Sequence, residues 1–241
     1  MKNGYKLPAK LNRKIGQAMH DFSMFADGDR VLVAVSGGVD SLTLACVLKL
    51  WQRKAPIHFD LTAQYIDHGF WKKEGISAPG EAIGRQLQEL SLDFEVREEW
   101  AIEGVDRTCF LCSRNRRSQL FDLARERGYN KIALGHHKDD LIETFLLNAI
   151  YSGNISTMVP RQDLFGGTLS IVRPMAYLEK HEVCEIAAGL KLEVVKNLCP
   201  LTDNTRREKV RSLLHTLYQD EPAAKNSLFA ALSNVRKDYL L

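Results

Sequence analysis

Val31-Leu32-Val33-Ala34-Val35 runs without a break into Ser36-Gly37-Gly38-Val39-Asp40-Ser41. The first five residues are short, apolar and rich in β-branched side chains, as suits a strand buried on both faces of a parallel sheet. From Asp40 onward, Leu42, Ala45, Cys46 and Leu48 to Leu50 supply the buried stripe of a helix over residues 40–54. Between them, two glycines permit a tight turn that exposes successive N–H groups, and the helix start adds its positive dipole end. Ser36 and Ser41 offer hydroxyls, and Asp40 can hold a metal that rides on phosphate. The hexad reads as an anion cradle. It is neither a Walker A loop nor a G-x-G-x-x-G fingerprint, because no Gly-Lys-[Ser/Thr] follows and the glycines are adjacent. The plain alternative is a strand–helix turn with Ser36 or Asp40 as the N-cap.

Outward from this turn, strands and helices alternate. The apolar spacing predicts helices over residues 8–26, 78–90, 113–128, 138–151 and 179–190, with further strands at 61–67, 93–98, 131–134 and 169–172. Two more helices are expected in the tail, over 204–219 and 223–239. Residues 70–79, 100–108 and 153–167 read as loops. The pattern specifies an α/β fold, a doubly wound parallel sheet of about five strands with a helical C-terminal portion. The expected organisation is an N-terminal helix in 1–27, a main domain over 28–200 and C-terminal helices in 201–241 packed on it.

Composition narrows the function classes. The 241 residues are 45% hydrophobic and 26% charged, ordinary for a folded chain. Lys+Arg 33 against Asp+Glu 30 gives a formal charge of +3, which excludes a histone-like polycation. A nucleic-acid partner would be held by a local patch. No run approaches the roughly 18 apolar residues that span a bilayer, and the basic start lacks the apolar stretch of a signal peptide. Five cysteines, an odd number, do not form a secreted disulfide framework. The expected compartment is the reducing cytoplasm.

Cys46 and Cys184 fall within helical apolar patterns and are expected in the core. Cys109-Phe110-Leu111-Cys112 and the isolated Cys199 are the cysteines that invite chemistry. A thioredoxin-like redox pair belongs earlier in its fold. A zinc site needs a fourth ligand, for which His136 or His137 would serve. A cluster on three cysteines would leave one iron open to an exogenous group. Spacing alone leaves the last two open.

Gly135-His136-His137-Lys138-Asp139-Asp140 ends one strand and opens a helix. The carboxylates can simply favour a helix N-terminus. Their clustering beside a switch-point crevice points to a site, with Asp139 in catalysis or metal binding and Asp140 in support. Arg114, Arg116 and Arg117 follow the first cysteine pair, and Arg206, Arg207, Lys209 and Arg211 follow Cys199. Two basic clusters flanking one centre suit phosphate contacts to RNA. Arg116, one helical turn past Cys112, can face the site itself. Lys10, Arg13 and Lys14 are weaker candidates for RNA, and Asp67 either approaches a ligand or caps its turn.

The hexad SGGVDS resembles the SGGxDS signature of the PP-loop ATP pyrophosphatases, which cleave ATP between the α and β phosphates and adenylate a substrate. The runs CFLCSRNRR, ALGHHKDDLIETFLLNAIYSG, IVRPMAYLEKHEV and NLCPLTDNTRREKVRSLL resemble the tRNA 2-thiocytidine synthetase family, from about Pro8 to the end of the chain. That resemblance implies ATP with Mg2+ on Ser36, Gly37, Gly38, Val39, Asp40, Ser41 and Gly135, with Asp40 toward the metal. It implies a [4Fe-4S] cluster on Cys109, Cys112 and Cys199, and catalytic roles for Asp40, Asp139 and Arg116. It also implies a tRNA substrate held by Arg114, Arg117, Arg206, Arg207, Lys209 and Arg211, a sulfide donor such as a cysteine desulfurase, and a homodimer. The family usually has lysine where this chain has Val39, so one cation facing the phosphates is missing. The activity expected on this resemblance is conversion of cytidine to 2-thiocytidine in the anticodon loop. Thiolation of a uridine, a cluster-free lysidine-type ligase and a non-catalytic module are the alternatives.

Overall fold

In chain order the elements are α1 (Ala9–Asp21), β1 (Asp29–Ala34), α2 (Val39–Gln52), β2 (Phe59–Asp67), α3 (Trp71–Glu74), α4 (Pro79–Gln88), β3 (Asp93–Glu98) and α5 (Cys109–Arg127). They continue with β4 (Lys131–Ala133), α6 (Lys138–Ser152), β5 (Arg161–Leu164), β6 (Leu169–Val172), α7 (Lys180–Gly189), α8 (Arg206–Asp220) and α9 (Ala224–Ala231). This computed structural model describes residues 5–102, 107–195, 199, 206–236 and 238.

The sheet has six strands in the order β3-β2-β1-β4-β6-β5. Pairing is parallel from β3 through β6, with Val31 beside Leu61 on one side and beside Lys131 on the other. Only β5 is antiparallel, with Arg161 opposite Val172 and Leu164 opposite Leu169. The chain therefore starts in the middle, builds outward to β3, and returns to β4 on the far side of β1. Strand order reverses between β1 and β4, and the crevice at their C-terminal ends is where such sheets bind ligands.

Alternate residues of β1 feed two cores. Val31, Val33 and Val35 pack with Ile15, Leu44 and Val183 on one face, while Leu32 packs with Leu120, Leu123 and Ile132 on the other. Helix α2 is buried along its first half, from Ser41 to Leu48, so the turn that precedes it is anchored from behind. A third cluster, Ile142, Val210 and Leu214, seats α8 on α6.

Several expectations need correction. The sheet has six strands rather than about five, because Arg161-Gln162-Asp163-Leu164 lies in the stretch read as a loop. Its two central residues are exposed, as on a sheet edge, so no apolar alternation marks it. Helix α5 begins at Cys109, four residues earlier than its apolar pattern indicates, because Thr108 caps it and its Oγ1 accepts the Leu111 N–H at 3.2 Å. Cys184 is exposed. The buried stripe of α7 is Glu182, Val183, Ile186 and Ala187, which leaves Cys184 outside it, whereas Cys46 is buried as expected. Lys14, a weak RNA candidate, is committed to the buried Glu182, with Nζ 2.7 and 2.8 Å from its oxygens. Helix α8 covers every described residue of its expected range and ends one residue later, α9 stops at Ala231, short of the expected 239, and residues 204, 205, 237 and 239 lie outside the described set. No described helix is long and apolar enough to cross a membrane.

Candidate active site

The loop after β1 is held in shape by its own hydrogen bonds and packing. Gly37 has φ of +82°, and a Cβ there would meet the Val195 Cβ at 2.9 Å, so glycine is required for both conformation and space. The Gly37 carbonyl accepts the Val195 N–H at 3.0 Å. The Ser36 N–H donates to Ser41 Oγ at 3.0 Å, and Ser41 Oγ donates to the Gly38 carbonyl at 3.0 Å. Gly38, rather than Ser36 or Asp40, is the N-cap of α2, with no side-chain cap. That arrangement frees Asp40, whose oxygens lie 2.6 and 2.8 Å from Lys180 Nζ, with His137 Nε2 at 3.7 Å.

The β4–α6 turn lies against this loop. A Cβ on Gly135 would sit 2.9 Å from the backbone of Asp40, so the two turns touch main chain to main chain. His137 caps α6, and its N–H donates to Asp140 Oδ2 at 3.0 Å. Asp139 accepts the Lys180 N–H at 2.8 Å and Lys225 Nζ at 2.9 Å. Burial would raise the Asp139 pKa, but His137, Lys225 and the Lys180 N–H together hold it well below the usual carboxylate range. His137 is buried too, which favours the neutral ring. Asp139, Asp140 and Asp40 outweigh that and raise its pKa. Its Nδ1 lies 3.5 Å from Asp139 Oδ2, too long for a good hydrogen bond, so the attraction is one of charge.

His136 has the opposite fate. Burial, then the charge of Arg173, pushes its pKa down to about 3. Arg173 Nε donates to His136 Nδ1 at 3.1 Å, which assigns the ring proton to Nε2. Arg173 is buried at the end of β6, and Nη1 donates to the Val159 carbonyl.

A single cavity of about 1090 Å³ joins these parts. Ser36, Gly38, Asp40, Ser41 and Gly135 line one end. Cys109, Cys112 and Cys199 line it as well, together with Arg116, Arg117, Arg173 and Arg207. Cys112 Sγ accepts Arg107 Nε–H at 3.0 Å, and Arg107 also pairs with Glu99 and lies 4.7 Å over the Phe70 ring. Among the described residues, no three His, Cys, Asp or Glu side chains are drawn together as a metal-binding group. The donor set nonetheless suits a cluster. Three thiols line the same cavity, and the guanidinium groups that also line it match the net negative charge of a thiolate-held iron–sulfur centre.

Among the sequence candidates for the nucleotide site, Gly37, Val39 and Asp139 fall outside the described cavity lining. Arg114 and Lys209 are exposed. Arg206 stacks 4.9 Å over Tyr151, and Arg211 holds Glu143 with two bonds of 2.8 and 3.0 Å. Arg207 reaches the cavity, with Nη1 3.6 Å from Asp140 and 3.7 Å from Glu143. Asp67 both caps its turn, accepting the Gly69 N–H at 2.8 Å, and lines the cavity. Sequence reasoning missed Arg173, although a charged residue ending an apolar strand was a readable signal. It missed the part played by Lys180 as well, for which no local signal exists.

A phosphate-type loop at the switch point of a parallel sheet, opening on a cavity with three thiols, defines a nucleotide-binding α/β protein of PP-loop type. Residues 7–217 match the PP-loop domain family. The tRNA-cytidine(32) 2-sulfurtransferase of Anaeromyxobacter sp. (strain Fw109-5) is 40% identical over 240 residues, covering 98% of this chain and 79% of the relative. That of Geobacter metallireducens is 36% identical, covering 96% and 92%. Among solved structures, the U34-tRNA thiolase NcsA from Methanococcus maripaludis, with its [4Fe-4S] cluster, superposes with a TM-score of 0.75 at 21% identity, covering 94% of this chain and 79% of that one. The chain belongs, within the PP-loop proteins, to the family of the tRNA-cytidine(32) 2-sulfurtransferases.

Proposed function

We propose that this enzyme thiolates tRNA at cytidine 32 in an ATP-dependent reaction, giving 2-thiocytidine in the anticodon loop. The observation that carries the reading is the shared cavity: the phosphate cradle and the thiols of Cys109, Cys112 and Cys199 open into the same space.

The backbone of Ser36 to Ser41 and the N-terminus of α2 receive the phosphates of ATP, and Asp40 on the cavity wall would hold an accompanying Mg2+. The O2 oxygen of the cytosine attacks the α-phosphorus and pyrophosphate departs, so a poor leaving group becomes AMP. Sulfur then takes the place of AMP at C2. A [4Fe-4S] cluster on Cys109, Cys112 and Cys199 supplies, when bound, an iron without a protein ligand, the Lewis-acid position that inorganic sulfide requires.

Arg116 lies one turn beyond Cys112 and lines the cavity, where its charge stabilises the anionic phosphates of the adenylated base. His136, kept neutral by burial and Arg173, offers an Nε2–H donor that does not titrate near neutrality. Asp139 acts from behind the wall, fixing Lys180 and His137 around Asp40. Exposed Arg114 and Lys209, on the helices that carry Arg116 and Arg207 into the cavity, meet tRNA phosphates. An unpaired loop nucleotide costs little to extrude into such a cavity. A cysteine desulfurase or another donor provides the sulfide, the enzyme works in the cytoplasm, and it does so as a homodimer.

The test is nucleoside mass spectrometry of tRNA from cells lacking the protein. Loss of 2-thiocytidine is expected. Loss of a thiouridine instead would move the reading to the uridine alternative, and an unchanged set of thionucleosides would overturn it.

A further inference from the structure

The phosphate loop contributes no cation of its own: Ser36 to Ser41 supplies hydroxyls, glycines, a valine and a carboxylate. The cation comes from 140 residues away. Lys180 Nζ straddles the Asp40 carboxylate at 2.6 and 2.8 Å. Lys180 is the first residue of α7, and its N–H is bound to Asp139 at 2.8 Å. Its main chain is thus tied to α6 while its side chain reaches α2. Asp40 lies on the cavity wall; Lys180 stands just outside that lining, joined to it through Asp40, and its side chain remains 44% exposed, so the ammonium is not sealed in.

We propose that Lys180 is the phosphate-binding cation of this chain, turning from Asp40 to the polyphosphate of ATP as the divalent metal takes Asp40. The inference rests on the ATP reading above. Charge matching drives the exchange: one Asp–Lys pair is replaced by two, carboxylate with metal and ammonium with phosphate oxygen. The helix N-terminus alone offers only about half a unit charge against a triphosphate. A lysine ammonium on a flexible four-carbon stem can make the swing without moving its backbone. In the ligand-free state the same lysine neutralises Asp40, which would otherwise face arriving phosphate as a bare anion.

Calorimetric titration of the intact chain with MgATP and with AMP tests this. Lys180→Met is expected to weaken MgATP about tenfold or more while AMP stays within about twofold, and Lys180→Arg to keep most of the affinity. Lys180→Gln retains a donor for Asp40, so it should melt near the wild type yet lose the same MgATP affinity. Val39→Lys added to Lys180→Met returns an ammonium to the loop and should recover part of the loss. A purely structural lysine would weaken both nucleotides together. If the wild type binds MgATP and Lys180→Met binds it equally well, or loses AMP in step, the proposal falls and the function stands. If the wild type itself fails to bind MgATP, the proposed function falls and takes this inference with it.

Discussion

Gly135 and Asp40 touch backbone to backbone: a methyl group on Gly135 would lie 2.9 Å from both the carbonyl carbon and the oxygen of Asp40. Neither side of that contact is a flexible side chain, so Gly135→Ala must push the β4–α6 turn off the phosphate loop. We expect a stability loss of about 1–3 kcal/mol and a marked loss of nucleotide affinity. Gly153→Ala is the matching control. Gly153 also has a constrained backbone, with φ of +64°, but a Cβ there meets nothing within 4 Å. It should cost about 1 kcal/mol of stability and leave MgATP binding intact. Equal nucleotide affinities in the two variants would contradict the contact.

Glu143 and Arg211 separate structural charge from RNA-binding charge on α8. The Glu143 side chain is 7% exposed and takes two bonds from Arg211, whereas Lys209 projects from the same helix into solvent. Arg211→Ala should lower stability by about 1–2 kcal/mol, the range for a charged hydrogen bond reduced by the exposure of the arginine. Lys209→Ala should leave stability alone and reduce the slope of log affinity for tRNA against log salt by about one. Binding measured between low and moderate salt, beside urea melts, distinguishes the two. A flatter salt slope in Arg211→Ala with unchanged stability would reverse the assignment.

Acid sensitivity follows from partly buried imidazoles. His136 is pushed down to about 3 and His68 to about 4, both chiefly by burial. An unfolded histidine titrates near ~6.5. Below that pH the unfolded chain takes up protons that the folded chain refuses. Stability is therefore fullest above ~6.5 and falls as pH drops toward those values, by about 1.4 kcal/mol per pH unit per histidine. His137 runs the other way. Its pKa is raised, so its contribution is complete below ~6.5 and disappears as pH rises through the folded value. His136→Gln keeps an acceptor for Arg173 and removes one titration, so the dependence of urea-unfolding stability between pH 4 and 6 should flatten. An unaltered slope would mean that His136 is not held neutral.

What could be read from sequence was what is local. Val31 to Ser41 announces strand, turn and anion cradle within eleven consecutive positions, and the central strand β1 shows an apolar run where the parallel edge strand β3 only alternates Phe94 and Val96 with charged residues. The antiparallel β5 escaped notice because Gln162 and Asp163 face solvent on an edge, where apolar patterning has no physical cause. Cys184 deceived for the converse reason: an apolar-looking helix needs only one buried face, and four neighbours, Glu182, Val183, Ile186 and Ala187, fill it. The ion pair of Asp40 with Lys180 and the stacking of Gly135 on Asp40 join residues brought together only by the return of the chain across β1. Spacing in the sequence contains neither.

The last prediction concerns which thiols can hold a metal centre. Cys109 and Cys112 sit on the first turn of α5, where the Thr108 cap fixes the direction in which the helix enters the cavity. Cys199 reaches the same cavity from the segment after α7, and Cys46 is packed within α2 while Cys184 is exposed on α7. Replacement of any one of Cys109, Cys112 or Cys199 by serine should remove most of the iron and acid-labile sulfide from anaerobically prepared protein, together with its brown colour. Cys184→Ser should retain all three. Three thiolates leave one iron of a [4Fe-4S] centre without a protein ligand, and neither Cys46 nor Cys184 lines the cavity to replace a lost one. Colourless wild-type protein containing zinc would contradict the iron assignment. Iron that survives Cys199→Ser would show that the third ligand lies elsewhere.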